Sequence, residues 1–355
     1  MSAKKVAVIH DWLTGMRGGE AVLEAILELF PGAELFTLFH FPGSVSAAIE
    51  ARTIHTSFLQ NVARKVSDYR RLLPLYPRAA RSFDLRGFDL IVSSSHCVAK
   101  GVNARGIRHI TYCHTPMRYM WDRFDDYFPR SKPAQRVAAS MLRPWLQRWD
   151  RDTRGVTRFV ANSRFVAQRI ATYYGREASV VHPFVDEAFL KPPIENERED
   201  FHLIVSALVP YKKIELAMAS GRKLEIIGGG PLLQKLQREA GPNVRLLGPV
   251  SRDRIIERLS RARSLILPGI EDFGITPLEA MALGTPVVAL GQGGVLDTVV
   301  PGSTGILFDK PMVHSLRGAL DEVESRTWDR EALRAHAAAF SRERFRRELA
   351  AQMEA

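Results

Sequence analysis

Two glutamates eight residues apart, Glu271 and Glu279, bracket the segment of this sequence that is best equipped for chemistry. Between them, Gly274, Thr276 and Pro277 stand in the order expected of a loop that turns into a helix, with Thr276 as the N-cap. The start of a helix presents backbone N–H groups and a positive dipole end, which suit a phosphate. A loop carboxylate such as Glu271 accepts hydrogen bonds from hydroxyls. The segment therefore predicts a site for an anionic ligand.

Each of these residues also has a purely structural explanation. Thr276-x-x-Glu279 is a capping box, in which the glutamate returns to the N-cap N–H. Glu271 alone is typical of a solvated loop, and Lys212 alone is typical of a surface lysine. Lys212 follows a strand and a Pro-Tyr turn, however, and from there its ammonium would reach the ligand-binding edge of a sheet.

A glycine-rich loop joins the first strand to the first helix. Its residues Arg17, Gly18 and Gly19 let backbone N–H groups turn toward an anion at the helix N-terminus, although a plain connecting loop has the same composition. No Gly-Lys-Ser/Thr follows, which excludes a P-loop.

A histidine ends another strand in the first half of the chain. His114 follows the predicted strand at 108–112, so it is expected at the carboxyl edge of the sheet. Arg118 and Asp122 come next; they either pair with each other at i,i+4 or contribute to the same site.

Short apolar runs alternate with helical patterns, which predicts an α/β protein with parallel sheets. This alternation is interrupted between 182 and 200, by His182-Pro183, Pro192-Pro193 and the polar run at 195–200. We expect two Rossmann-like domains facing a central cleft, an N-terminal one over 1–185 and a C-terminal one over 186–334. The predicted strands lie at 5–10, 35–38, 90–93, 108–112, 158–161, 201–206, 224–227, 244–247, 264–267 and 286–289.

Composition narrows the class of protein. The 355 residues are 46% hydrophobic and 25% charged, which excludes a disordered or collagen-like chain. No apolar run approaches the length of a membrane span, and the N-terminus passes straight into a strand. Cys97 and Cys113 are too few for a disulfide framework, so a reduced, cytoplasmic setting is expected. The formal charge of +11 favours anionic partners.

The motifs together resemble the retaining GT-B glycosyltransferases of family four, over nearly the whole chain. The similarity implies a GT-B architecture whose last helix, 335–355, packs back on the first domain. The segments that carry it are Glu271-x7-Glu279 with the residues between them, Gly284-Thr285-Pro286-Val287-Val288, 208–216, 227–231, 243–248, Gly293-Gly294 and 305–308.

The resemblance also implies roles for the C-terminal candidates. Glu271 would contact the transferred sugar, Glu279 would hold the nucleotide ribose, and Lys212 would bind the diphosphate. The amides of Phe273, Gly274, Ile275 and Thr276 would meet sugar and diphosphate, and Gly229 would lie beside the base. One position departs from the pattern: Ala207 stands where many members have an arginine, five residues before the lysine.

In the first domain, the resemblance places Gly18 and Gly19 against the donor phosphate and the acceptor, and His114 against the transferred sugar. The segment from His114 to Asp122 is most similar to mannosyltransferases of surface-polysaccharide assembly. We therefore expect a retaining hexosyltransferase with a glycan or polyprenyl-linked acceptor and no cofactor. GDP-mannose is the first donor that we expect. The alternatives are a nucleotide-sugar epimerase or another GT-B enzyme and, on charge alone, a nucleic-acid-binding protein; we expect no nucleic-acid partner.

Two further patterns bear on partners. Asp150-Arg151-Asp152 has the Asp-x-Asp spacing of metal-dependent glycosyltransferases, but its helical, mixed-charge context predicts a solvated face, and we expect no catalytic metal. Residues 61–86 carry seven basic and two acidic residues among leucines and aromatics. This composition is typical either of an ordinary amphipathic surface helix or of a segment that binds the anionic inner face of a membrane.

Overall fold

The computed structural model describes residues 4–63, 69–191 and 197–354. The chain divides into two compact units. The N-terminal unit comprises Met1–His182 and Arg346–Ala355, and the C-terminal unit comprises Pro183–Phe345. The domain boundaries predicted from the sequence stood at 185/186 and 334/335. Part of the predicted linker, 192–196, lies outside the described residues.

The N-terminal unit is built on a seven-stranded sheet in the order β3-β2-β1-β4-β5-β6-β7. Every neighbouring pair is parallel, so all the carboxyl ends lie along one edge. The strands are Val6–His10 (β1), Glu34–Thr37 (β2), Ile54–Thr56 (β3), Leu90–Ser95 (β4), Arg108–Cys113 (β5), Arg158–Ala161 (β6) and Ala178–Val180 (β7).

The C-terminal unit contains a six-stranded parallel sheet in the order β10-β9-β8-β11-β12-β13. Its strands are His202–Val205 (β8), Leu224–Ile227 (β9), Val244–Gly248 (β10), Leu265–Leu267 (β11), Val287–Leu290 (β12) and Gly305–Phe308 (β13). The loops after β8, β11 and β12, three neighbouring strands, therefore emerge at the same edge.

Helices connect the strands and cover the sheets. The α-helices are Gly18–Leu29 (α1), Ala47–Glu50 (α2), Tyr76–Arg81 (α3), Phe124–Tyr127 (α4), Pro133–Arg151 (α5), Arg164–Tyr174 (α6), Ile214–Met218 (α7), Leu233–Glu239 (α8), Arg252–Arg261 (α9), Ile275–Ala282 (α10), Val313–Ser325 (α11), Arg330–Ala338 (α12) and Arg342–Glu354 (α13). Short 3-10 helices occur at Phe58–Asn61, Tyr69–Leu75, Ala99–Gly101, Glu187–Phe189, Pro210–Lys212 and Gly294–Asp297.

The prediction of two parallel-sheet, Rossmann-like domains is confirmed. The central strands are buried on both faces: every residue of β1, β4, β9 and β12 is buried. This is the reason their apolar runs are continuous rather than alternating. The sequence patterns missed the three-residue strands β3 and β7, which form the two edges of the N-terminal sheet, and also β13, which forms one edge of the C-terminal sheet.

The predicted solvated face around Asp150 is wrong. Asp150 is buried, and Lys100, also buried, approaches it at 3.1 Å. Its second carboxylate oxygen accepts hydrogen bonds from Trp121 at 2.7 Å and Tyr174 at 3.0 Å. Asp152 instead forms ion pairs with Arg81 and Arg154. The two aspartates thus serve separate ion pairs.

Candidate active site

Lys212 and Glu271 form an ion pair in the C-terminal unit, and their side chains are only 15% and 18% exposed. Lys212 ends the 3-10 helix that follows β8, and Glu271 lies in the loop after β11. β8 and β11 are hydrogen-bonded neighbours, which brings the two loops together. The ion pair holds an ammonium in place at the carboxyl edge of the sheet.

Close backbone packing makes this pair possible. A Cβ on Gly269 would lie 2.5 Å from the Tyr211 carbonyl oxygen and 2.7 Å from the Lys212 Cα. Only glycine lets the β11 loop pass so close to the lysine segment. The loop is supported from its other side by Gly294, whose N–H donates to the Glu271 carbonyl at 2.8 Å.

Helix α10 begins one turn after Glu271, but its cap differs from the prediction. The N-cap is Gly274, with φ of 87°, so Thr276 lies inside the helix beside Ile275. Phe273 is buried and belongs to the core of the unit, so it offers a ligand its backbone only. The helix N-terminus still faces the edge of the sheet where Lys212 and Glu271 lie.

Glu279 lies in the first turns of α10 and is half-buried. Within the described part of the chain its carboxylate makes no hydrogen bond or ion pair, so the predicted capping box is wrong. Burial, and then the negative charge of Asp186, raise the pKa of Glu279 to about 7, against the opposing charge of Arg252. A desolvated carboxylate without a partner is what a diol ligand would satisfy.

The glycine run after β9 packs against the loop after β8. A Cβ on Gly228 would lie 1.9 Å from the Ser206 carbonyl oxygen, and one on Gly230 would lie 2.5 Å from the Leu208 carbonyl oxygen. Gly229 accepts a hydrogen bond from the Leu208 N–H at 2.9 Å. These contacts account for the run structurally, and the placement of Gly229 beside a base stays a prediction.

His114 in the N-terminal unit is held by a buried hydrogen-bonded chain. Its Nε2 lies 2.8 Å from Ser94 Oγ, which lies 3.1 Å from His10 Nδ1. On the far side of that ring, His10 Nε2 lies 3.8 Å from a carboxylate oxygen of Glu20. A serine hydroxyl has one hydrogen, so at least one of the two rings donates an N–H to it. The chain therefore fixes the orientation of the His114 ring.

The environment keeps His114 uncharged. Burial, followed by the charges of His96 and His10, lowers its pKa to about 3. A neutral imidazole offers hydrogen bonds but no positive charge. Its ring lies beside the glycine loop, because a Cβ on Gly19 would be 4.0 Å from the His114 Cε1 atom.

Asp11 anchors the loop behind this histidine cluster. Its buried carboxylate accepts hydrogen bonds from the N–H groups of His96, Cys97, Val98 and Ala99, at 2.6 to 2.9 Å. Burial alone would raise its pKa, but the charge of His96 and the backbone N–H groups outweigh burial, and the pKa of Asp11 is lowered.

The glycine loop occupies the N-terminus of α1, as predicted. Arg17 is the N-cap and its N–H donates to Glu20 at 3.0 Å, while Gly18 and Gly19 form the first turn. Glu20 thus belongs to the capping box and also places a carboxylate near His10, one of the residues of the chain that orients His114.

The acceptor-side candidates Arg118 and Asp122 lie in a turn after β5. Asp122 pairs with the buried Arg169 at 2.5 Å, and Arg169 also donates to Thr115 at 2.5 Å. This pair braces the segment after His114. Burial lowers the pKa of His96, and the positive charge of Arg118 makes a smaller contribution in the same direction.

Sequence patterns alone missed several residues of these clusters. His10, Ser94 and His96 stand at the ends of β1 and β4, and the signal was their position: polar residues at the carboxyl ends of neighbouring predicted strands. Gly269 gave a different signal, since a glycine two residues after a buried strand marks a close approach of backbone segments.

The predicted membrane segment is only partly described, since 64–68 lie outside the described residues. Tyr76 is buried, and Leu72, Leu73 and Phe83 pack against the core of the unit. Leu75 is 43% exposed. Most of the apolar residues named in this segment therefore serve the fold, and its binding to lipid stays a prediction.

Two absences hold for the described residues. Between 4 and 354, outside the gaps, no group of three or more His, Cys, Asp or Glu side chains is placed to hold a metal ion. Over the same stretches no helix combines the length and apolar character that a bilayer crossing requires.

Comparison with known families divides the chain as the fold does. Residues 36–189 match the model of Glycosyltransferase Family 4, and residues 186–340 match that of Glycosyl transferases group 1. D-inositol 3-phosphate glycosyltransferase of Mycobacterium sp. (strain JLS) is 31% identical over 52% of this chain and 49% of its own length. A GDP-mannose-dependent alpha-(1-6)-phosphatidylinositol monomannoside mannosyltransferase of Mycolicibacterium smegmatis is 30% identical over 45% of this chain and 51% of its own.

Solved structures show the same fold along the whole chain. The lipopolysaccharide outer core galactosyltransferase WaaB has a TM-score of 0.67 at 18% identity, over 97% of this chain and 98% of its own. HepE of Anabaena, in complex with UDP-glucose, has a TM-score of 0.68 at 16% identity, over 98% and 99%. The chain spans about half the length of the curated relatives it matches. It belongs to the GT-B glycosyltransferases, with one domain of family 4 and one of group 1.

Proposed function

We propose that this protein is a retaining hexosyltransferase that moves a sugar from a nucleotide-sugar donor to a glycan or lipid-linked acceptor of surface polysaccharide. The observation that carries the proposal is the partly buried Lys212–Glu271 pair at the edge of the sheet where helix α10 begins. An ammonium and a helix N-terminus together suit a diphosphate, and carboxylates suit sugar and ribose hydroxyls.

Each residue then has a distinct task. Lys212 and the amides of Ile275 and Thr276 stabilise the charge that develops on the departing diphosphate. Glu271 keeps the ammonium in place and binds the sugar hydroxyls, and Glu279 accepts hydrogen bonds from the ribose. Neutral His114 presents a polar ring to the sugar; with a pKa of about 3 it is a poor general base. In a retaining reaction of this type the leaving phosphate accepts the proton of the acceptor.

We propose GDP-mannose as the first donor to test, because the name of the relative from Mycolicibacterium smegmatis describes that enzyme as GDP-mannose-dependent. We also propose that the reaction needs no metal, that the protein is cytoplasmic, and that residues 61–86 contribute to binding an anionic membrane face.

Titration calorimetry with GDP-mannose and UDP-glucose tests the donor site. We expect Lys212→Ala to weaken donor binding by roughly tenfold or more. Lys235→Ala is the matched control, since this exposed lysine of the same unit also pairs with a glutamate, Glu215, at 3.2 Å. Equal affinity in Lys212→Ala and the native protein would refute the assigned site.

Product analysis tests the reaction. Anomeric NMR signals of the product should show the configuration of the donor, and turnover should persist in excess chelator. Inversion, or release of sugar with no acceptor requirement, would contradict the proposal and favour another GT-B enzyme.

A further inference from the structure

Helix α5 turns an apolar face to solvent. Val137 is 59% exposed, Met141 77% and Trp145 47%. These residues follow one another at intervals of four, so they form one stripe along the helix. The flanking Ala138 and Pro144 are exposed as well. Isolated exposed apolar residues are ordinary, but an aligned stripe on one helix marks an interaction surface.

The opposite face of α5 already attaches the helix to its unit. Leu146 and Trp149 are buried in the core. Arg143 donates to the carbonyls of Met120 and Trp121, both at 2.9 Å. The fold therefore does not require the outer stripe to be apolar.

The charges that accompany the stripe are positive. The only acid in the helix sequence is Asp150, which is buried, whereas Arg148 and Arg151 are exposed. Beyond the C-terminal end of the stripe lies a recess of about 600 Å³. It is lined by Trp145, Trp149, Arg81, Arg148, Arg151, Asp152 and Arg154. Four arginines against one aspartate leave an excess of positive charge there.

We propose that this face of α5 docks on a membrane surface rich in anionic phospholipid. Val137, Met141 and Trp145 would enter the boundary between headgroups and acyl chains, and the arginines of the recess would meet lipid phosphates. A helix with an apolar stripe and a basic end has the composition of an interfacial anchor. The proposal concerns a surface distinct from 61–86, shares only Arg81 with it, and does not depend on the sugar-transfer reaction.

A second copy of the chain is the other occupant to consider, and charge argues against it. In a two-fold symmetric dimer the same patch of each copy faces the other. The basic recess of one copy would then face either the basic recess or the apolar stripe of the other copy, and neither complements its charge. An anionic lipid surface instead complements both parts of the patch.

Flotation of the full chain with vesicles tests the proposal. We expect retention on vesicles of phosphatidylglycerol and phosphatidylcholine, and roughly tenfold weaker retention on phosphatidylcholine alone. Met141→Glu and Arg148→Glu should each weaken retention on the anionic vesicles by about tenfold or more. Met312→Glu is the control, because Met312 is 51% exposed in the C-terminal unit.

Donor binding and thermal unfolding, measured on the same samples, should be unchanged in all three variants, since none of these side chains is in a core. Retention that ignores both lipid charge and Met141→Glu would overturn the proposal. It would also be overturned by a concentration-dependent dimer that Met141→Glu dissociates while vesicle binding stays absent, which would assign the face to a second copy.

Discussion

The raised pKa of Glu279 predicts that this residue reduces stability above neutral pH. Its pKa is about 7 in the folded protein and 4.5 ordinarily. The folded state thus binds the proton more tightly, and stability falls as the pH rises from about 4.5 through 7. The shift of about 2.5 units corresponds to at most about 3 kcal/mol at pH 8. At pH 5 the loss of stability is still less than about 1 kcal/mol.

Glu279→Gln removes this penalty. We expect the variant to be more stable than the native protein by up to about 3 kcal/mol at pH 8, and nearly equal at pH 5. Urea unfolding at the two pH values measures the difference. Glu239→Gln is the control, since Glu239 is half exposed and pairs with Lys235 on helix α8.

The same variant separates stability from function. A ribose diol donates to the ionised carboxylate, so donor binding should release a proton from native Glu279 near pH 7, and affinity should fall below that pH. Calorimetry in buffers of different ionisation enthalpy measures the proton. The glutamine variant should bind donor more weakly and release none. If Glu279→Gln gains nothing at pH 8, the desolvation argument fails; if donor affinity is unchanged, the assigned role fails.

Two further substitutions test how the site is positioned. Gly269→Ala should lower the free energy of unfolding by about 2 kcal/mol and reduce donor affinity, because its Cβ would meet the Tyr211 carbonyl at 2.5 Å. The control Gly318→Ala has open space around the new Cβ and should raise the free energy of unfolding by about 1 kcal/mol. Equal effects of the two substitutions would refute the packing argument. Ser94→Ala should lower kcat with little change in KM, and Ser94→Thr should restore it. Ser93→Ala, which removes an equally buried hydroxyl 2.8 Å from His109, should cost comparable stability but leave kcat unchanged, and loss of kcat in both would mean a general effect on the sheet.

The fold was predictable because burial dominates the sequence pattern of a parallel sheet. Strands that are covered on both faces are predicted from largely apolar runs. β4, β6 and β9 each begin at the residue where the predicted strand begins. The edge strands β3 and β7 were missed for the converse reason. Ile54-His55-Thr56 and Ala178-Ser179-Val180 are short and partly polar, and only pairing with a neighbour makes them strands.

The site was predictable in its residue types but not in its local geometry. Thr276 has the chemistry of an N-cap, yet Gly274 adopts a positive φ that a threonine would resist, and the helix starts two residues earlier than predicted. Sequence spacing shows which residues are available for capping; backbone conformation decides which of them caps.

The environment of a charged residue was hardest to predict where its partner is distant in sequence. Asp150 looked solvated because its neighbours along the helix are arginines, whereas Lys100, fifty residues earlier, determines its environment. The same limit applies to His114, whose pKa is lowered by burial and then by the charges of His96 and His10, which come from other segments of the chain.

The two units set the charge at their strand ends by opposite means. In the N-terminal unit, desolvation and neighbouring histidines leave His114 neutral, so its contribution is orientation and hydrogen bonding. In the C-terminal unit, Lys212 lies in an ion pair with Glu271 at the carboxyl edge of the sheet. In the reaction that we propose, the positive charge that stabilises a departing diphosphate would come from Lys212 and the N-terminus of helix α10. Because Ala207 stands where many family members carry an arginine, fewer groups of this chain would supply that positive charge.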